Sequence, residues 1–171
     1  MTAKILWFTG LSGAGKSTLS NYLYKDLKKK YKIVSIDGDK FRKKNKIKNN
    51  FTVKNIIKNN LIIINYIKKI QKKYDYILVA VIAPLVKTRA YAKKIFSNHY
   101  YEIFTYCSLK TLKKRDTKNL YEKAQKKIIN NLIGFNSSIK YQKSKYYVIK
   151  VNTDKNNLKQ SIKIIRDKVE I

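Results

Sequence analysis

The stretch Gly10-Leu11-Ser12-Gly13-Ala14-Gly15-Lys16-Ser17 decides the fold of this chain. It fits the pattern G-x-x-x-x-G-K-[ST], and it lies between the apolar run 5–9 and a segment with leucines at helical spacing, at Leu19, Leu23 and Leu27. Small residues let successive backbone N–H groups curl around a polyphosphate, and the helix that follows presents its positive end. The sequence therefore predicts a phosphate-binding loop between a strand and a helix.

This loop also predicts how a nucleotide and its metal ion would be held. Lys16 is expected to reach the β- and γ-phosphates, and the Ser17 hydroxyl is expected to ligate Mg²⁺. ATP is then the co-substrate and Mg²⁺ the cofactor. The residues of the loop predicted to bind ATP are Gly10, Ser12, Gly13, Ala14, Gly15, Lys16, Ser17 and Thr18.

A second cluster, Asp37-Gly38-Asp39 with Arg42, follows the next apolar run at 32–36. Because parallel strands end at one edge of a sheet, we expect it beside the phosphate loop. In a functional interpretation Asp39 accepts a hydroxyl proton and Arg42 binds a substrate phosphate with its planar fork of donors. The alternative is an Asp-Gly turn that caps the helix after it.

Strand and helix patterns alternate along the whole chain. Apolar runs predict strands, and 3.6-residue spacing predicts helices, with a further polar helical segment at 119–131. This alternation indicates an α/β fold with right-handed crossovers and a parallel sheet, as one domain over residues 1–171. The stretch 117–145 is poor in apolar residues and reads as a mobile flap. The predicted strands are 5–9, 32–36, 76–83, 101–107 and 146–151, and the other helices are 16–30, 55–73, 86–97, 109–115 and 155–169.

The composition is strongly basic, with a formal net charge of +30 over 171 residues. Nucleic-acid binding is one interpretation, since lysines neutralise phosphates and tyrosines stack on bases. However, the chain has 36 Lys against 4 Arg and also 16 Asn, as AT-rich codons would give, and its lysines are spread throughout. We therefore expect no specific nucleic acid. No apolar stretch suits a membrane helix or a signal peptide, so the expectation is a soluble, cytoplasmic protein.

Taken together, the motifs resemble those of the adenylylsulfate kinases, small P-loop kinases that phosphorylate a nucleotide ribose. The resemblance spans nearly the whole chain. It rests on the stretch 7–18, Asp37-Gly38-Asp39 with Arg42, Phe51-Thr52, Asn59, Ile82-Ala83-Pro84 with Arg89, and the stretch 115–124, which reads Arg-Asp-Thr-Lys-Asn-Leu-Tyr-Glu-Lys-Ala.

The resemblance implies a three-layer P-loop NTPase-type fold, with five parallel strands, helices on both faces and a lid over about 116–140. It implies an enzyme that uses Mg-ATP to phosphorylate the ribose 3′-hydroxyl of a nucleotide 5′-anhydride, with small nucleotides as partners and a homodimer as a possible assembly. Asp39 and Lys16 take catalytic positions, together with Lys123 in the lid, and Arg115 joins the ATP site. The implied acceptor-binding residues are Asp37, Asp39, Arg42, Phe51, Ile56, Asn59, Ala83, Pro84, Lys123 and Leu132.

Two departures from the family pattern bear on the acceptor. Ile56 stands where the family has an arginine expected to bind the acceptor nucleotide, and Leu132 stands where it has the second phenylalanine of a base sandwich, with Phe135 as a possible substitute. One aromatic face suits a pyrimidine better than a purine. In these substitutions the chain resembles a branch of the family that acts on cytidine diphosphoramidate in capsular-polysaccharide phosphoramidate synthesis, and this resemblance gives the favoured acceptor.

Two alternatives remain open. Adenylylsulfate is the second candidate acceptor, with 3′-phosphoadenylylsulfate for sulfate assimilation as product. From another class, a nucleotide-dependent RNA-binding module would explain the basic charge, but it leaves Asp37, Asp39 and Arg42 without a role.

Overall fold

A computed structural model describes residues 2–46 and 52–171 of the chain. Its centre is a sheet of five parallel strands in the order β2-β3-β1-β4-β5, which confirms the predicted α/β class. The strands are β1 Lys4–Thr9, β2 Ile33–Asp37, β3 Tyr76–Ala80, β4 Tyr100–Tyr106 and β5 Ile149–Asn152. The helices are α1 Lys16–Leu27, α2 Gly38–Lys44, α3 Val53–Ile70, α4 Val86–Phe96, α5 Leu109–Arg115, α6 Leu120–Gln125 and α7 Leu158–Val169.

Helices cover both faces of the sheet because the central strands are apolar on both sides. Alternate residues of β1 enter different cores, with Ile5 and Trp7 in one and Leu6 and Phe8 in the other. The first core lies under α3 and α4, and the second lies under α1 and α7. None of the described helices is long and apolar enough to cross a membrane.

The elements differ from the prediction in several places. The helix Gly38–Lys44 was expected only in the alternative of an Asp-Gly turn that caps a helix, and the helical segment 119–131 shortens to α6, which is followed by Lys127 in the left-handed region at φ 57°. The last strand begins at Ile149, and the Tyr146 hydroxyl instead donates to Glu102 at 2.6 Å. Residue 146 therefore packs across β4 rather than pairing within the sheet.

The stretch 117–145 is anchored more firmly than its composition indicates. Tyr121 and Leu132 are buried in a small core with Ala14 of the phosphate loop, and Ile133 is buried in another. The Tyr121 hydroxyl also donates to the Ser12 carbonyl at 2.9 Å. The predicted flap is thus packed onto the phosphate loop by a few large side chains, which its overall polarity conceals.

Candidate active site

A cavity of about 650 Å³ opens where the strands end at their carboxyl edge. The phosphate loop, Asp37 to Asp39, the start of α3, the loop after β3 and the end of α5 all contribute to its lining. Residues of 117–133 and the link from β5 to α7 complete it. The size suits small-molecule ligands, and its position is the usual ligand site of an open α/β sheet.

The phosphate loop turns sharply as it leaves β1. Gly10 has φ 139°, and a Cβ there would lie 2.1 Å from the Thr105 carbonyl oxygen, so only glycine fits. Lys16 is buried, and its ammonium donates to the Leu11 carbonyl across the loop at 2.7 Å. Burial, aided by the neighbouring Lys118, lowers the pKa of Lys16 to about 8. The negative charge of a polyphosphate bound in the loop would favour the protonated form of Lys16 and so raise its pKa again.

Ser17 and Asp37 meet at the mouth of the loop. The Ser17 hydroxyl donates to Asp37 Oδ2 at 2.9 Å, while Asp37 Oδ1 accepts the backbone N–H groups of Asp39 and Lys40 at 3.0 and 3.2 Å. Asp37 therefore caps α2, and the turn-and-cap interpretation is confirmed for this residue. A residue larger than glycine at position 38 would force Val81 to shift, since a Cβ on Gly38 would lie 2.7 Å from a methyl group of Val81.

This corner fits Mg²⁺. The Ser17 hydroxyl and the Asp37 carboxylate are hard oxygen donors beside the phosphate loop. Within the described ranges there is no group of three or more His, Cys, Asp or Glu that could hold a metal ion by itself. Magnesium in nucleotide sites commonly takes one or two protein oxygens and completes its shell with phosphates and water.

Asp39 lies one residue into α2 with its carboxylate between two cations. Arg42 of the same helix pairs with one oxygen, and Lys118 of the 117–133 segment pairs with the other. Burial raises the pKa of Asp39, but Lys118 and Arg42 more than offset this, so the net pKa lies below its usual value. The carboxylate is therefore ionised at neutral pH and half exposed to the cavity.

Arg115 and the link after β5 form the other end of the cavity. Arg115 donates to the Thr153 hydroxyl at 2.9 Å and to the Thr153 carbonyl at 2.8 Å. Asn156, Asn157 and Ser161 line the cavity nearby. No local motif marked these three residues, because the sheet brings them to the phosphate loop from more than 130 positions away.

Four residues of α3, namely Ile56, Asn59, Asn60 and Ile63, line the cavity, and we call them the α3 wall. Ile56 is buried against Leu85 and Ile133. Leu132 lines the cavity too.

Phe135 does not supply a second stacking face in this structure. Its ring packs edge-on against Tyr121 at 6.0 Å and beneath the ammonium of Lys113 at 5.0 Å, and it is absent from the lining.

A buried ion pair supports the loop after β3. Arg89 is fully buried, donates to Glu102 Oε1 at 3.0 Å and also donates to the carbonyls of Ala83 and Gln142. Ala83 itself has φ 41°, a strained conformation for a residue with a Cβ. Arg89 thus fixes the backbone that places Ala83 and Pro84 at the cavity.

Most of the predicted site residues come together. Gly10 and Ala14 lie in the loop without lining the cavity, Lys123 is exposed on α6 outside the lining, and Phe51 lies outside the described residues. Lys118, in the stretch quoted for the resemblance but given no role there, lines the cavity instead, and sequence reasoning also missed Asn60 and Thr153. The predicted residues that line the cavity are Ser12, Gly13, Gly15, Lys16, Ser17, Thr18, Asp37, Asp39, Arg42, Ile56, Asn59, Ala83, Pro84, Arg115 and Leu132.

Known proteins share this fold and these motifs. The chain is 32% identical over 154 residues to a probable adenylyl-sulfate kinase of Archaeoglobus fulgidus, covering 90% of this chain and 97% of the relative. It is 31% identical over 170 residues to the cytidine diphosphoramidate kinase of Campylobacter jejuni, covering 98% and 96%. The solved structure of the Mycobacterium tuberculosis APS kinase CysC in complex with AMPPNP and APS superposes with a TM-score of 0.88 at 26% identity, covering 99% of both chains.

The family follows from the sequence match and the site together. The family model described as adenylylsulphate kinase matches residues 2–151, which include the phosphate loop, Asp39 and Lys118. The chain therefore belongs to the adenylylsulphate kinase family, whose members are ATP-dependent nucleotide kinases that phosphorylate a hydroxyl group.

Proposed function

We propose that this chain transfers the γ-phosphoryl group of Mg-ATP to the ribose 3′-hydroxyl of cytidine diphosphoramidate. The observation that carries the choice of acceptor is the apolar character of the α3 wall at Ile56, which is buried against Leu85 and Ile133. A guanidinium at this position would offer a bidentate donor to an anionic acceptor group, and isoleucine offers none.

The donor end binds ATP through the phosphate loop and Arg115. Backbone N–H groups of the loop hold the phosphates, and the ammonium of Lys16 leaves the Leu11 carbonyl for the phosphate oxygens. Ser17 and Asp37 would hold Mg²⁺, which neutralises charge on the phosphates when bound. Lys16 and the loop then stabilise the charge that spreads over the transferred group.

Asp39 orients the attacking hydroxyl at the acceptor end. When the acceptor binds, Arg42 and Lys118 release the Asp39 carboxylate and bind phosphate oxygens of the acceptor instead. The freed carboxylate then accepts a hydrogen bond from the 3′-hydroxyl. The 3′-oxygen forms a bond to the γ-phosphorus while the bond to the bridging oxygen of ADP breaks, and the hydroxyl proton passes to Asp39. Segment 116–140, with Lys118 and Lys123, closes over both nucleotides as a lid.

The acceptor base would meet Leu132 where the family pattern has an aromatic ring. Stacking contributes about 1–3 kcal/mol per base, so a missing ring costs a purine more than it costs the smaller pyrimidine. Adenylylsulfate is the second candidate. It is supported by the Archaeoglobus fulgidus relative, whose identity equals that of the Campylobacter jejuni relative within one percentage point.

The acceptor is tested by measuring kcat/KM for cytidine diphosphoramidate and adenylylsulfate on one preparation. We expect cytidine diphosphoramidate to be favoured by about ten- to a hundredfold, the ratio equivalent to the loss of one stacking face. A higher value for adenylylsulfate would overturn the proposal and leave the second candidate.

A double variant tests the residues responsible. Ile56→Arg with Leu132→Phe should shift the ratio toward adenylylsulfate. Asn65→Arg with Ile128→Phe places the same side-chain types at exposed positions of α3 and the lid, and it should leave the ratio unchanged. If both double variants keep the wild-type ratio, these two residues do not cause the preference.

The setting follows from the reaction. We propose a cytoplasmic enzyme, because ATP is its phosphoryl donor, that provides a 3′-phosphorylated cytidine nucleotide for capsular-polysaccharide phosphoramidate synthesis.

A further inference from the structure

Asn60 has an unsatisfied amide oxygen in the wall of the cavity. The residue is only 6% exposed, and it belongs to the α3 wall. Its Nδ2 donates to the carbonyl of Ile56, one helical turn earlier, at 2.8 Å. Its Oδ1 is buried and accepts no hydrogen bond from any residue in the ranges 2–46 and 52–171.

This arrangement fixes the kind of group that Asn60 can bind. The hydrogen bond to Ile56 engages the amide nitrogen, so the oxygen is left as an acceptor without a donor. A buried acceptor without a partner destabilises the fold, and buried polar atoms of this kind are uncommon. The terminal torsion of asparagine is broad, so a small rotation that keeps the bond from Nδ2 to Ile56 can bring the oxygen to a donor in the cavity.

The α3 wall therefore offers a hydrogen-bond acceptor and lacks the donor that the family pattern places there. Ile56, where the family pattern places a guanidinium, offers no donor, and Asn60 on the same side of α3 offers a spare acceptor. A sulfate oxygen has only lone pairs and gains nothing from the Asn60 oxygen. An N–H group of a ligand would satisfy it.

We propose that Asn60 Oδ1 accepts a hydrogen bond from an N–H group of the acceptor nucleotide and so helps to select the acceptor. The inference rests on the proposed function, in that a nucleotide occupies this part of the cavity. Two sources can supply the N–H group: the exocyclic amine of the base, or the amide nitrogen of a terminal phosphoramidate. Both present the same chemistry to the carbonyl oxygen.

Matched ligand pairs distinguish the two sources. Dissociation constants are measured by calorimetry on protein saturated with a non-hydrolysable ATP analogue. CDP against 2-pyrimidinone riboside 5′-diphosphate differs in the exocyclic amine, and cytidine diphosphoramidate against CDP differs in the terminal nitrogen. Adenylylsulfate against its purine-riboside analogue, which lacks the 6-amino group, tests the exocyclic amine on a purine.

Asn60→Leu removes the acceptor and keeps the volume. Wild-type protein should prefer the N–H ligand of at least one pair by about three- to tenfold, the usual range for one hydrogen bond. Asn60→Leu should reduce that preference to near one. Loss of the preference between CDP and the 2-pyrimidinone analogue, or in the adenylylsulfate pair, identifies the base amine. Loss between cytidine diphosphoramidate and CDP identifies the phosphoramidate nitrogen.

A stability measurement separates recognition from a structural role. Because the oxygen is unpaired, Asn60→Leu should be at least as stable to thermal unfolding as wild type although it selects less well. Asn65→Leu, an exposed asparagine on the same helix, is the matched control and should keep every preference.

The inference is overturned if Asn60→Leu folds and keeps the wild-type preference in all three pairs, or if wild type shows no preference in any pair. Failure of the proposed function has a different signature: the wild-type protein would show a higher kcat/KM for adenylylsulfate than for cytidine diphosphoramidate.

Discussion

Two pairs of arginine and carboxylate behave differently in this molecule. Arg89 and Glu102 have side chains that are 0% and 1% exposed, whereas Arg42 and Asp39 are 20% and 54% exposed. Glu102 accepts further hydrogen bonds from the hydroxyls of Ser144 and Tyr146 at 2.7 and 2.6 Å. Asp39 is instead shared with the ammonium of Lys118, a side chain that is itself half exposed.

Burial decides what each pair can do. A buried pair that loses one partner leaves an uncompensated charge in a medium of low dielectric constant, so its geometry is fixed. A half-exposed pair contributes little to stability and can exchange partners with water or ligand at small cost. An arginine–carboxylate pair is therefore a structural support at Glu102 and part of the candidate active site at Asp39.

Neutralising Asp39 should produce the largest functional effect. Asp39→Asn keeps the shape and removes the charge, so we expect kcat to fall by about 10²–10⁴-fold while ATP still binds. Thermal stability should change by less than about 1 kcal/mol because the Asp39 side chain is half exposed. Steady-state kinetics and thermal melting check this, with the exposed Asp167→Asn as control. A loss with Asp37→Asn and none with Asp39→Asn would reverse the two roles.

Removing Glu102 should produce the opposite result. Glu102→Ala leaves the buried Arg89 guanidinium without its counter-charge, and we expect about 3–5 kcal/mol of destabilisation by urea unfolding. The kinetic constants of the molecules that remain folded should change by only a few fold. Asp26→Ala breaks the more exposed pair with Arg166 and should cost about 0–1 kcal/mol. Equal losses in the two variants would contradict the role assigned to burial.

Changing the shape of the Arg42 cation should have a smaller effect. Arg42→Lys keeps the charge and loses the planar fork, so KM for the acceptor should rise by about tenfold with little change in kcat. The exposed Lys43→Arg on the same helix is the control and should leave KM unchanged. A fall in kcat at constant KM would place Arg42 on the transferred group instead.

The smallest expected effect is proton uptake by Lys16. Its pKa of about 8 in the free protein means that the ammonium is largely protonated at pH 7 and largely neutral at pH 9. Bound polyphosphate favours the charged form, so ATP binding should take up almost no proton at pH 7 and close to about one at pH 9. Calorimetry in buffers of different ionisation enthalpy measures this uptake. Lys16→Arg stays protonated and should abolish it, whereas uptake that persists would indicate another group.

Local sequence was sufficient for the phosphate loop and for Asp37 to Arg42. The residues of the loop motif lie within eight positions of one another, although glycine at Gly10 is also required by a distant group, the Thr105 carbonyl of β4. The fold class followed in the same way, because alternating strand and helix patterns leave few alternatives to a parallel sheet. The helix Gly38–Lys44 was predicted only in the turn-and-cap alternative, because its seven residues carry no apolar periodicity and Asp37 alone signals its cap.

The sequence by itself predicted a polyphosphate-binding loop, where that loop lies and which charged residues follow the second strand. Only the tertiary structure decided that Lys118 meets Asp39 while Lys123 lies outside the cavity lining, that Arg89 is a buried support, and that Asn60 lies in the wall with a spare oxygen. The physical reason is the separation along the chain of the residues that interact. A loop motif acts through backbone neighbours, whereas burial and pairing depend on segments that the sheet brings together, such as Asp39 with Lys118, 79 positions apart.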